Sequence, residues 1–182
     1  MLQSLTFITG NIAKAKLLSY YLNFPVTHQK IDLVEIQSLD LATIIEYKAK
    51  EAYKYVGSPV LVEDTSLRFF ALGKLPGPLI KWFLEELETS GLCQLLDGYT
   101  DRSALAEVQF GLYDGKNFQT FANSIEGFIS SVPLGANGFG WDPIFIPRGY
   151  EKTWGEMTIE EQQITSLRKT VLEKLEHYLK TL

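Results

Sequence analysis

The sequence predicts a single α/β unit with a mixed sheet and a hairpin-rich second lobe, and three observations point there. β-prone runs alternate with amphipathic helical stretches through the first part of the chain. A strong hairpin signal occupies residues 104–124. No repeat, low-complexity tract or Ser/Pro linker divides the sequence, so its 182 residues fit one compact domain or two lobes sharing a cleft. A boundary between the lobes is not readable.

Leu5-Thr6-Phe7-Ile8-Thr9 reads as a short strand ended by Gly10-Asn11, after which Ala13, Lys14, Lys16, Leu17, Leu18 and Leu22 make a helix. Ser38 or Asp40 can cap a second helix whose buried stripe is Leu41, Ile44, Ile45, Ala49, Ala52 and Val56, with Gly57 as its stop. Pro59-Val60-Leu61-Val62 is a buried strand running into Glu63-Asp64-Thr65. The two prolines of Leu75-Pro76-Gly77-Pro78 exclude regular structure there, and a helix follows over Ile80 to Leu87.

Ala104 to Tyr113 and Phe118 to Ser124 flank the turn Asp114-Gly115-Lys116-Asn117, and Glu126 to Val132 is expected as a third antiparallel strand. Pro133 to Asp142 holds three glycines and reads as a ligand loop before a short strand, Ile144-Phe145-Ile146. Thr158-x-x-Glu161 matches a capping box, and Leu167, Val171, Leu172, Leu175 and Leu179 give a C-terminal helix its apolar face.

Composition narrows the chemistry. With 17 Lys+Arg against 22 Asp+Glu the net charge is −5, so no protein-wide positive field would hold a nucleic-acid polymer, although a local basic pocket could take a small phosphorylated ligand. One cysteine and two histidines exclude intrachain disulfides, multi-cysteine zinc sites and a His-rich metal centre. Neither a signal peptide at Met1-Leu2-Gln3-Ser4 nor a membrane span is expected, which makes the cytosol the default compartment.

Three segments can carry chemistry. Thr9-Gly10-Asn11-Ile12-Ala13-Lys14 delivers small and amide-bearing residues to a helix N-terminus, with Gly10 allowing close backbone approach and Lys14 adding a mobile charge; such a turn suits phosphate. Glu63-Asp64 at the end of a buried strand, joined by Glu35, could hold a hydrated magnesium ion on phosphates. Because adjacent strand residues point to opposite faces, Glu63 and Asp64 are expected to do different jobs. Phe139-Gly140-Trp141-Asp142-Pro143 joins aromatic faces to a fixed carboxylate, a pairing a nucleobase wants. Each segment also has a plain structural reading: a strand-helix turn, a helix cap or surface ion pair, and loop packing. Together they describe a nucleotide site, and with no evident nucleophile the natural chemistry is attack by metal-oriented water on a phosphoryl group.

At these residues the chain resembles the inosine triphosphate pyrophosphatases, through Thr9-Gly10-Asn11 with Lys14, Val62-Glu63-Asp64-Thr65, Leu75-Pro76-Gly77-Pro78 with Lys81-Trp82-Phe83, and Phe139-Gly140-Trp141-Asp142-Pro143. The resemblance implies a magnesium-dependent homodimer that converts ITP, dITP and XTP to monophosphate and pyrophosphate. Each subunit would be an elongated mixed sheet flanked by helices, its two lobes enclosing a central nucleotide-binding cleft. By position, Thr9, Asn11 and Lys14 would hold the triphosphate, with Lys48 adding a phosphate contact. Glu35 and Asp64 would bind magnesium, Asp64 would also orient or deprotonate the attacking water, and Thr65 would touch substrate. Phe139 and Gly140 would meet the base, Trp141 would wall its pocket and Asp142 would reach the base or sugar edge. Exposed aromatics near the Pro-Gly-Pro loop, Phe69, Phe70 and Trp82, are candidate interface residues or plain core.

The C-terminal motif departs from the family. Where members carry a Lys-Asn pair and Ser-His-Arg, this chain reads Gln162-Gln163-Ile164-Thr165-Ser166-Leu167-Arg168. Ser166 and Arg168 remain; Gln162 and Leu167 replace the lysine and histidine that help recognise the 6-oxo purine and its phosphates. Arg168 can still donate to O6 or phosphate and Gln162 can donate an amide hydrogen bond, whereas Leu167 is in helical phase with Val171 and Leu175 and reads equally well as core. A nucleotide-binding module with altered or lost hydrolysis is the alternative to an active pyrophosphatase.

Overall fold

The structure, a computed structural model, describes residues 4–181. Met1 to Gln3, part of the segment read for a signal peptide, lie outside them.

Strand β1 (Leu5–Ile8) passes through the Gly10-Asn11 turn into helix α1 (Ile12–Tyr21), and β2 (Val26–Gln29) follows. Helix α2 (Leu41–Val56) leads to β3 (Val60–Phe69) and the two-residue β4 (Pro76–Gly77), then to α3 (Ile80–Gln94). The hairpin of β5 (Ser103–Tyr113) and β6 (Phe118–Ile129) precedes β7 (Phe145–Pro147), α4 (Ile159–Ile164) and α5 (Lys169–Leu179). The seven strands form one sheet in the order β2-β1-β3-β5-β6-β7, with β4 on β3. It is mixed, because β1 pairs in parallel with both β2 and β3 while β3–β4 and β6–β7 are antiparallel.

The helix boundaries follow local chemistry. Asp40 caps α2 by accepting from the amides of Ala42 and Thr43, and Gly57 ends it in the left-handed conformation. Along α2 the apolar spacing buries Leu41, Ile44, Ile45, Ala49 and Ala52. Ile45, Ala49 and Ala52 pack with Ile8, Val60 and Val62 as one core cluster, each large side chain there contributing roughly 1.5–3 kcal/mol. Thr158 and Glu161 complete the expected capping box of α4 in both directions.

Five local expectations need correction. β3 does not end near Val62 but runs to Phe69, so Glu63 and Asp64 sit within a strand rather than at its end. Gly77 and Pro76 pair with Leu67 and Arg68, so the Pro-Gly-Pro segment does hold a short ladder. Residues 126–129 continue β6 rather than starting a third strand, and the antiparallel neighbour is β7. Helix α3 reaches Gln94, although Glu88 within it leaves helical geometry at φ 56°, ψ −176°. Finally, the C-terminal helical region is two helices, and Leu167 lies in the turn between them, buried but outside α5.

By internal contacts the chain divides into two units. The first comprises Met1–Asp64, Val108–Asn123 and Arg168–Leu182; the second comprises Thr65–Glu107 and Ser124–Leu167. No helix among the described residues is long and apolar enough to cross a membrane.

Candidate active site

In the first unit the β1–α1 turn is tied by its own side chains. Thr9 Oγ1 accepts from the Asn11 amide at 3.0 Å, and Asn11 Oδ1 accepts from Ala13 N at 2.9 Å and Lys14 N at 3.3 Å. Asn11 is therefore the N-cap of α1, and its acceptor oxygen serves the helix while its NH₂ is the end suited to an anion. His28 Nε2 lies 2.8 Å from the Thr9 carbonyl, which steadies the turn from β2. Gly10 is less special than its sequence context suggests. A Cβ there would meet only Lys30 side-chain carbons, the nearest at 3.7 Å, and its φ is not in the left-handed region.

Two ion-pair systems converge on β3. Glu63, only 3% exposed, offers a single oxygen, Oε1, to Lys14 Nζ at 3.2 Å and to Arg168 Nη2 at 2.7 Å. Its other oxygen, Oε2, is buried and has no hydrogen-bond partner among the described residues. Burial pushes the Glu63 carboxyl upward, but the Arg168 and Lys14 charges outweigh it and hold the group at about 2. On the neighbouring residue, Asp64 Oδ2 accepts from Lys48 Nζ at 3.1 Å, and the same ammonium reaches the Glu63 carbonyl at 3.3 Å. Burial pulls Lys48 down, yet Asp64 foremost, with Glu35 and Glu63 behind it, raises it above the ordinary lysine value. Thus Glu63 and Asp64 serve different cations, as strand alternation requires.

This arrangement brings Lys14, Lys48, Glu35, Asp64 and Arg168 together within one unit. Glu63 is the member to which the family resemblance assigned no role; residue spacing offered it beside Asp64 as a magnesium carboxylate, and here it holds Lys14 and Arg168 instead.

The second unit is built differently. In the 133–142 loop Asp142 Oδ2 accepts from Phe139 N at 2.7 Å, so the carboxylate is fixed as expected. Gly138, at φ +77°, lets it in: a Cβ there would stand 2.1 Å from that same Oδ2. Phe139 is half-buried and Gly140 exposed. Trp141 is 9% exposed and packs against Phe145 at 5.8 Å and Trp154 at 5.7 Å between ring centroids, so most of its surface lies in the core. Gln162 Nε2 donates to the Trp154 carbonyl at 2.6 Å, which uses one of that amide's two N–H donors. Leu167 is 3% exposed, in accord with its core reading. Thr65 and Ser166 are half-buried. Phe69 is fully buried and belongs to the core, while Phe70 and Trp82 are exposed.

A family model for Ham1 matches residues 5–178. The chain belongs to the Ham1 family. That match bears out the resemblance to the inosine triphosphate pyrophosphatases. Among solved structures, this Ham1 chain is similar to a nucleoside-triphosphatase / dITP/XTP pyrophosphatase from Mycobacterium abscessus, at 26% identity and TM-score 0.77, covering 94% of this chain and 98% of that one. It is also similar to a HAM1 protein from Coxiella burnetii, at 24% identity and TM-score 0.87 with both chains fully covered. The Staphylococcus aureus Ham1 protein matches at 22% identity and TM-score 0.77, with 98% of each chain covered. The last two establish the fold, a mixed sheet with flanking helices.

The donor set constrains any metal. Among the described residues no group of three or more His, Cys, Asp or Glu side chains is placed to hold an ion. Glu35 and Asp64 both act on Lys48, so two hard carboxylates share one neighbourhood. That fits magnesium held by one or two carboxylates, waters and substrate phosphates, and does not fit an all-protein cage.

Proposed function

We propose that this Ham1 protein hydrolyses non-standard purine nucleoside triphosphates, ITP, dITP and XTP, to the monophosphate and pyrophosphate. The observation that carries this reading is the set of three cations, Lys14, Lys48 and Arg168, gathered on the adjacent carboxylates Glu63 and Asp64 beside the capped start of α1. A polyphosphate needs such a receiver, and the dITP/XTP pyrophosphatase named among the similar structures supports the substrate class.

In this reading Thr9, Asn11 and Lys14 bind the triphosphate, with Lys48 at a further phosphate oxygen. Asp64 orients a water and takes its proton as the water's oxygen bonds to phosphorus and the α–β anhydride bond breaks, with pyrophosphate leaving. Glu35 and Asp64 would hold magnesium when it is bound, and the ion would supply neutralisation of phosphate charge. Phe139 offers a stacking face and Asp142 an acceptor to the base. The protein works as a homodimer on the cytoplasmic nucleotide pool.

A nucleotide-binding module without efficient turnover is the second reading, favoured by Gln162 bound to the Trp154 carbonyl and Leu167 buried. Pyrophosphate release from ITP, dITP, XTP, ATP and GTP, with magnesium and then with chelator, separates the two. Metal-dependent release favouring ITP and XTP supports the enzyme. Nucleotide binding with background release supports the module.

A further inference from the structure

The β1–α1 turn is fastened from two sides, and only one of them lies within the turn. Inside it, Thr9 Oγ1 accepts from the Asn11 amide, and Asn11 Oδ1 from those of Ala13 and Lys14. Each of these bonds spans two or three residues, so together they fix the turn's own shape but not its place beside the sheet. Gly10 adds no constraint, since its φ lies outside the left-handed region. The β1–β2 register ends with Ile8 opposite Gln29, and a last main-chain bond follows, from Thr9 N to the Gln29 carbonyl at 3.2 Å. Beyond that point, side chains take over.

His28 stands opposite Phe7 in that register, yet its ring leans two residues further along β1, and Nε2 donates to the Thr9 carbonyl at 2.8 Å. A carbonyl only accepts, so Nε2 carries a proton, which both the neutral Nε2–H tautomer and the imidazolium supply. Lys30 lays its stem along the next residue, with Cε 3.7 Å and Cγ 3.9 Å from where a Gly10 Cβ would stand. A chain of bonded residues thus runs from His28 through Thr9 and Asn11 to the amides of Ala13 and Lys14. His28 is exposed, and a single exposed bond of this kind holds local geometry more than it holds the fold. We propose that His28 is a positioning residue for the phosphate-binding turn. By holding the Thr9 carbonyl it sets where Thr9 Oγ1, the Asn11 side chain and the first amides of α1 stand before an anion arrives. This deepens the proposed function and rests on the reading of Thr9, Asn11 and Lys14 as phosphate ligands.

The test uses the full chain with His28→Leu, which removes the donor, and His28→Gln, whose side-chain amide nitrogen restores one at a similar reach. Melting transitions check folding. Amide hydrogen exchange at Asn11, Ala13 and Lys14 reads the turn without a ligand, and calorimetric titration with inorganic tripolyphosphate reads anion binding without a base. His28→Leu is expected to exchange faster at those amides and to weaken tripolyphosphate binding about fivefold. In turnover it is expected to raise KM by the same factor for ITP, XTP and ATP, with kcat and the melting transition near wild type. His28→Gln is expected to recover most of the loss.

A folded His28→Leu with wild-type tripolyphosphate affinity overturns the proposal, whether or not its melting transition falls, because the ring would then only brace the sheet edge. Weaker binding with exchange unchanged at the three amides also overturns it, since the loss would not pass through the turn. So does a His28→Gln no better than His28→Leu. Wild-type protein that binds tripolyphosphate and shows the His28 effect, but releases no pyrophosphate from any nucleotide, supports the proposal and defeats only the hydrolytic reading. Wild-type protein that does not bind tripolyphosphate overturns the turn as a phosphate site, and the proposal with it.

Discussion

The charged cluster around Glu63 and the aromatic segment around Trp154 are both well buried, yet they are held by opposite means. In the first, side chains hold side chains across long stretches of sequence: Arg168 reaches Glu63 over 105 residues. In the second, rings pack on rings, with Phe145 and Trp154 4.6 Å apart, and polar atoms mostly answer the backbone, as Gln162 does at Trp154 and Thr153 Oγ1 does at the Leu134 carbonyl. A polar cluster whose donors are kept on one another can hand them to a ligand. Donors already used on the main chain are scaffold. By that measure the cluster in the first unit holds donors that a ligand could take over, while Gln162 and Trp141 help build the second.

The sharpest way to break this comparison is Asp64→Asn. It should lower pyrophosphate release by about 10²- to 10⁴-fold while leaving the melting transition near its original place, which activity assays beside calorimetry would check. Trp154→Ala should do the reverse, costing about 3–5 kcal/mol of stability in denaturant unfolding, because it removes two ring contacts and the Nε1 hydrogen bond to Thr165 at 2.9 Å. Equal stability losses in the two variants would erase the distinction.

Acid should sharpen it further. Glu63 stays ionised in the folded protein down to about 2, whereas an unfolded glutamate takes its proton near 4.5. Its stabilisation is therefore complete above 4.5 and is lost as pH falls from there to about 2, a change on the order of 3 kcal/mol that Glu63→Gln should remove from the acid limb of a stability profile. The smallest effect belongs to neither region. Glu88→Gly should stabilise the fold by about 1 kcal/mol, since Glu88 is exposed and holds a backbone conformation that glycine adopts without strain.

Much of the fold was legible because its signals are local. Asp40 and Gly57 bracket α2, Thr158 and Glu161 cap α4, and the 114–117 turn closes the hairpin as their residue types require. The misread boundaries had no local marker. Nothing after Val62 stops β3, and Asn123-Ser124 looks like a break in β6 that ladder pairing overrides. At the site, Lys14, Asp64 and the Asp142 turn could be found from spacing. Glu63 as a two-cation anchor could not, because one of its partners lies on the far side of the chain. The bond from Gln162 to the Trp154 carbonyl was equally out of reach, because that carbonyl belongs to a loop whose course no short-range rule predicts.

The departure at Glu88 also changes what α3 is as a unit of motion. A helix interrupted there cannot unwind in one cooperative step, and each half is shorter than the roughly 12–15 residues that persist alone in water. The leading half rests on Ile80 and the trailing half on Leu92 and Cys93, all buried. Amide hydrogen exchange should therefore resolve α3 into two separately opening segments, with the fastest-exchanging amides next to Glu88.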